Sequence, residues 1–261
     1  MTGNLKTRWI LCGMMLFAIG WAMPAIAQQS ASDSDPWSFS IAPYLWMSGI
    51  DGDITVKGQR ASMDAGFDDV WSDFEFGGNL NIEIGKGRWG AFIDPTYSEI
   101  TMEETTAAGT TNTEASIRIL EFGGFYRVVG PPTGMGSEPA FRMDILGGGR
   151  YWDVTGKIRN TYIGKFEQTA DWLDPFIGLR ILAPMTRKAA FSARGDIGGL
   201  GAGSDFTFNF AAAFGYDFTE IFSAWLGYRI LSVDYEDGEG SNRIQFDTTW
   251  HGPMVGFMLR F

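Results

Sequence analysis

Histidine occurs once in the chain, at His251 in the closing stretch WHGPMVGFMLRF, and cysteine once, at Cys12. No G-x-S-x-G stretch is present. Nucleophilic catalysis needs a nucleophile, a base beside it and a third group that orients the base. The residues just before His251, DTTW, do not supply that set. His251 shares its parity with Val255, Phe257 and Phe261, so it is expected on the outward face, with no catalytic role. What remains is charge. Glu83, Asp94, Glu121, Arg127, Arg142, Asp144, Arg150, Asp174, Arg180, Arg194, Asp196 and Arg229 fall on one parity of their alternating runs. Arg142 and Asp144 stand two apart, as do Arg194 and Asp196. On a strand this spacing puts both side chains on one face. Interleaved charges of both signs have two uses. They can form a constriction that selects small solutes, or they can fill an interior in which every charge needs a partner.

A second group is the segment SMDAGFDDVWSDFEFG. Asp64, Asp68, Asp69, Asp73 and Glu75 are acidic, and Phe67, Val70, Trp71 and Phe74 recur at helical spacing. A short amphipathic helix is predicted here, with an early aspartate favoured by the helix dipole. Its expected role is a loop cap made by Phe67, Asp69, Trp71 and Phe74. The carboxylate spacing fits no defined calcium loop, so no metal is expected. Nothing in the sequence calls for a cofactor.

The elements that must position these residues begin after a leader. Lys6 and Arg8 precede an apolar run from Trp9 to about Met23, and the run closes on AIA. This pattern predicts a secretory signal over 1–27, cleaved before Gln28. The run is shorter than the about 20 residues of a spanning helix. Cys12 leaves with it, so the mature chain has no thiol chemistry. Net charge is −11 and becomes more negative by two when Lys6 and Arg8 are lost. An acidic chain is a poor partner for nucleic acid.

No long apolar run follows, yet alternation is strong. In DFTFNFAAAFGYDF, Phe206, Phe208, Phe210, Phe214, Tyr216 and Phe218 share one parity, and Thr207, Asn209, Ala211, Ala213 and Gly215 the other. One face is aromatic and the other small and polar, which suits a strand with lipid outside and a lumen inside. The same alternation runs through WSFSIAPYLWM, RWGAFIDPTY, DWLDPFIGLRIL and AFSARGDI. Trp89 and Tyr97, eight residues apart, suit the two aromatic girdles of one tilted strand.

Short connections at 85–88, 130–139, 184–188 and 217–221 alternate with longer polar ones at 51–74, about 104–113, about 157–170, 199–204 and about 236–243. Outer-membrane barrels alternate short turns and long loops in this way. The expected fold is all-β: a transmembrane antiparallel up-and-down β-barrel of about ten strands over 37–261, preceded by a short periplasmic segment at 28–36. Eight or twelve strands are the alternatives. The final strand must close against the first, so that no edge lies unpaired in lipid. Phe257, Leu259 and Phe261 end it on one parity and are expected to form the signal read by the outer-membrane assembly machinery.

The stretches PYLWMSGIDG at 43–52, FDDVWSDFEFG at 67–77, GRWGAFID at 87–94 and HGPMVGFMLRF at 251–261 resemble an uncharacterised family of proteobacterial outer-membrane β-barrel proteins. The resemblance implies the fold and a location in the cell outer membrane, among its lipids and lipopolysaccharide. It implies no catalytic residue. A barrel of eight strands is filled by its side chains and one of sixteen leaves a channel. Ten lies near the filled end. The expected function is a structural or passive barrel with a charge-lined, largely filled lumen. A narrow diffusion channel is the first alternative, and a lipid-modifying enzyme or protease the second.

Overall fold

The computed structural model describes residues 36–65, 78–106, 109–133, 140–162 and 164–261. The leader over 1–27, the segment 28–35 and the expected loop cap of Phe67, Asp69, Trp71 and Phe74 lie outside them. Twelve strands are described: β1 (Trp37–Trp46), β2 (Gly49–Val56), β3 (Gln59–Ala65), β4 (Gly78–Lys86), β5 (Trp89–Thr106), β6 (Gly109–Val129), β7 (Arg142–Asn160), β8 (Gly164–Pro184), β9 (Ala189–Gly199), β10 (Phe206–Asp217), β11 (Phe222–Asp237) and β12 (Ile244–Arg260). Ten of them, β1 and β4 through β12, pair in antiparallel order and close into a barrel where β1 meets β12. At the seam Phe261 donates its N–H to the Phe39 carbonyl at 2.8 Å and accepts from the Phe39 N–H at 3.0 Å. Both ends of the barrel chain therefore sit at one rim, the near rim.

The outward parity is apolar around the near half. Trp89 is 67 % exposed, Leu179 48 % and Phe210 40 %. Phe39, Ile93, Leu120, Ile145, Ile177, Leu226 and Phe257 join them on the same surface. In water such a belt would be costly. In lipid it is the required outer face of a spanning barrel. Gly123 and Gly148 face each other across β6 and β7, where a Cβ on Gly148 would stand 2.1 Å from the Phe122 carbonyl oxygen.

The sequence reading needs correction in the far half. The stretches about 104–113 and about 157–170 were expected as loops, but they carry the strands on. β6 and β8 each run 21 residues and β7 runs 19. A tilted strand needs only about 9–11 residues to cross the hydrocarbon, so the barrel projects beyond it. Polar outward residues such as Lys157, Arg159 and Glu167 made these segments look like loops, while Ile158 and Phe166 turn inward between them. The start of the expected loop 51–74 is also structured. β2 continues the line of β1, keeping the same register on β12 past the gap at Met47 and Ser48. It then folds back as β3 through Lys57 and Gly58, whose φ values are 50° and 75°. Two positive φ values are what a tight two-residue hairpin turn demands.

Candidate functional site: a layered lumen

The inward parity builds three layers. Nearest the near rim is a cavity of about 930 Å³. Its wall on β1 and β9–β12 is small or apolar, with Ala42, Ala190, Ala211, Ala213, Gly215 and Met254. Its opposite wall carries Glu83, Arg127, Asp144 and Arg180. Asp144 bridges the Arg127 Nε at 2.8 Å and the Arg180 guanidinium at 2.8 Å, and Arg180 also holds Glu83 at 2.5 Å.

The middle layer is an ionic belt. Glu121 accepts from three arginines on three different strands: Arg150 at 3.2 Å, Arg194 at 2.7 Å and Arg229 at 2.5 Å. Asp196 accepts from Arg150 at 2.7 Å, Arg194 at 2.9 Å and the Asn209 amide at 2.8 Å. Asn209 in turn accepts from the Arg229 Nε at 2.9 Å. The Tyr44 hydroxyl donates to Asp94 at 3.0 Å, and Asn81 donates to the other Asp94 oxygen at 3.1 Å. Aromatic rings floor these cations. Arg229 lies 4.8 Å from the Trp46 ring centroid, Arg194 5.2 Å from Phe92, and Arg150 5.3 Å from Phe176. A buried charge is tolerable only when its partners and hydrogen bonds are complete, and this belt supplies both.

The far layer is an apolar plug. Ile50, Ile54, Val56 and Met63 of the hairpin pack with Ile117, Trp152, Val154, Leu231, Phe246 and Trp250 into one buried cluster. The Trp172 and Tyr235 rings stack with centroids 3.7 Å apart at 5°.

All twelve charged residues singled out from the sequence have inward side chains, but their partners differ from those that spacing suggested. Arg194 does bond Asp196, two residues on. Arg142 does not bond Asp144; Arg127 and Arg180 occupy that carboxylate. Asp174 takes no arginine among the described residues, although Arg150 is its cross-strand neighbour. It is fully buried in the plug and accepts from the Trp152 indole at 2.8 Å, the Trp172 indole at 3.2 Å, and the Ser204 N–H and hydroxyl, both at 2.7 Å.

His251 points outward, as its parity requires, but it is not isolated. Its Nε2 lies 2.6 Å from the Asp51 carboxylate and its Nδ1 lies 2.7 Å from the Tyr228 hydroxyl. The carboxylate can only accept, so Nε2 donates to Asp51; in the neutral ring Nδ1 is then the acceptor for the tyrosine hydroxyl. Sequence reasoning missed both partners. They come from β2 and β11, the neighbours of β12 on either side, and no local spacing signals them.

No protein-family model matches the sequence, and no curated protein matches it. Solved structures that resemble the fold are outer-membrane proteins. The translocator domain of the autotransporter NalP from Neisseria meningitidis has a TM-score of 0.45 at 12% identity, covering 88% of this chain and 90% of that one. A major outer membrane protein from Thermus thermophilus gives 0.41 at 12% identity over 87% and 100%. OprG from Pseudomonas aeruginosa gives 0.38 at 13% identity over 87% and 97%. At these values the likeness carries nothing about what this chain does.

Proposed function

We propose that this chain is a sealed outer-membrane barrel with a structural or passive role, exported by its leader and not acting as a conduit or a catalyst. The observation that carries this reading is the plug. Trp152, Ile50 and Ile54 are 0 % exposed in the far half of the lumen. Water and ions have no polar path through a packed apolar layer. The experiment is conductance of the refolded protein in planar bilayers. The wild type should be silent, and Trp152→Ala, which removes the largest fully buried side chain, should destabilise by about 3–5 kcal/mol and admit a leak. A robust, selective wild-type conductance would favour the diffusion channel instead.

In this reading the near rim faces the periplasm and the projecting far half faces outward, beside lipopolysaccharide. Phe257, Leu259 and Phe261 lie exposed on the outer face of the closing strand, where the assembly machinery would meet them. Deleting Phe261 should lower the amount of heat-modifiable protein in outer membranes, and an unchanged amount would remove the residue from that role. Among the described residues, Asp51, His251 and Tyr228 are the grouping that favours an enzyme. Acyl transfer also needs N–H donors for the developing oxyanion. The backbone around His251 sits within paired ladders on both sides. The trio is therefore read as a tie across three strands.

A further inference from the structure

We propose that the near-rim cavity is a binding pocket for a single-chain anionic amphiphile, a carboxylate or phosphate head on one alkyl chain, entering from the periplasmic side. Three features converge. The first is shape. The inner positions of β1 and β9–β12 are so small that about 930 Å³ stays open. The belt and plug close it on the far side, which makes a blind pocket rather than a pore. Ligand sites run to roughly 300–1,000 Å³.

The second feature is the division of the walls. The alanine wall, with Met254 and the Trp225 ring, offers an alkyl chain an apolar bed. The facing wall carries Arg127, Arg142 and Arg180 among carboxylates, and the cavity as a whole, with the turn at its mouth, is cationic in excess. Eight basic and five acidic side chains line the cavity, in a protein whose net charge is −11. Part of that excess is answered from behind, because Arg194 and Arg229 are held by Glu121 in the belt.

The third feature is where the unanswered charge lies. Among the described residues, Arg142 has no carboxylate partner, and its buried Nε has no hydrogen-bond partner. Arg187 and Lys188, at the turn between β8 and β9, also line the mouth without an ion pair among the described residues. Glu220 is the opposing acid there, and Asp217 is held by Arg260 at 2.8 Å. A half-buried guanidinium whose Nε is shut off from solvent without a partner is costly, and an anion is the group that would satisfy it. The head group would sit at Arg142 near the mouth, with the chain along Ala213 and Ala190.

The pocket rests on the lumen being sealed, but the readouts separate. Conductance tests the seal, and saturable binding tests the pocket. The protein, refolded into zwitterionic phosphatidylcholine nanodiscs, is titrated with radiolabelled dodecanoate, dodecyl phosphate, dodecanol and inorganic phosphate, each against protein-free discs. Variants are first shown to be folded by heat-modifiability. Both charged amphiphiles should bind saturably, and their relative affinity tells the carboxylate from the phosphate head. Arg142→Gln should weaken them by about tenfold or more, the expectation for one lost charged hydrogen bond. Ala213→Leu or Ala190→Leu, which fill the apolar wall, should abolish binding. The proposal fails if uptake equals that of empty discs. It also fails if dodecanol or inorganic phosphate binds as tightly as dodecanoate, or if neither Arg142→Gln nor the filling variants changes the affinity.

Discussion

The two halves of this barrel are built on the same strands with opposite polarity. Along β7, Met143, Ile145 and Tyr151 face outward in the near half, followed by Asp153, Thr155, Lys157 and Arg159 in the far half. The inward positions reverse in step, from Arg142, Asp144 and Arg150 to Trp152, Val154 and Ile158. β11 changes over between Ile230 and Ser232 outside and between Arg229 and Leu231 inside. The cause is the solvent on the outside. Burying apolar surface is favourable where the alternative is water, so the projecting half makes a core like that of a soluble domain. Lipid is as apolar as the side chains themselves, so the spanning half gains nothing by turning them inward. Its interior is held instead by ladder hydrogen bonds and the ionic belt, with a small cluster of Phe92, Phe125, Leu146 and Phe176 packed among the ions.

The sharpest way to break this comparison is to damage the belt. Glu121→Gln leaves Arg150 and Arg194 sharing Asp196, leaves Arg229 with only the Asn209 amide and the Tyr44 hydroxyl, and loses the carboxylate they converge on. Removing one partner from a buried ionic group costs about 3–5 kcal/mol. Urea unfolding in bilayers should show that loss. A change under about 1 kcal/mol would mean that water enters the belt and that the near half is not held by its ions.

A smaller effect tests the outer faces. Phe210→Arg should destabilise by about 2–4 kcal/mol if this residue meets the bilayer midplane. Asp247→Arg has the same outward parity but lies in the far half, where the surface is wet, and should stay within about 0.5 kcal/mol of wild type. Equal costs for the two would erase the distinction between a spanning and a projecting half.

How far the sequence could be read follows from the same polarity reversal. The membrane half was legible because Phe206, Phe208 and Phe210 alternate with Thr207, Asn209 and Ala211, and lipid demands that pattern. The inward charges were legible for the same reason. The far half was misread because its outward residues are polar, so Lys157 and Glu167 looked like loop residues and the apolar inward positions between them were overlooked. Pairing was legible only where partners were local, as for Arg194 and Asp196. Glu121 and Arg229 are 108 residues apart and His251 and Asp51 are 200 apart. Closure of the barrel brings them together, and closure depends on a register that no single strand encodes.

His251 stands at the changeover between the halves, below the wet Thr249 and above the lipid-facing Pro253 on β12. Its imidazole ties Asp51 of the hairpin strand to Tyr228 of β11, so it spans three strands where the outer face passes from lipid to water. His251→Gln keeps a donor and an acceptor but cannot hold both partners at the same reach, and one net hydrogen bond is worth about 0.5–1.5 kcal/mol. That loss should appear as a modest fall in unfolding free energy with no change in membrane insertion. Asp51→Asn should cost a similar amount. Because the two act on one bond, the double variant should lose less than the sum of the single losses, by about 0.5 kcal/mol or more. Strict additivity would show that the tie contributes nothing to stability, and the three-strand junction would then be held by its ladders alone.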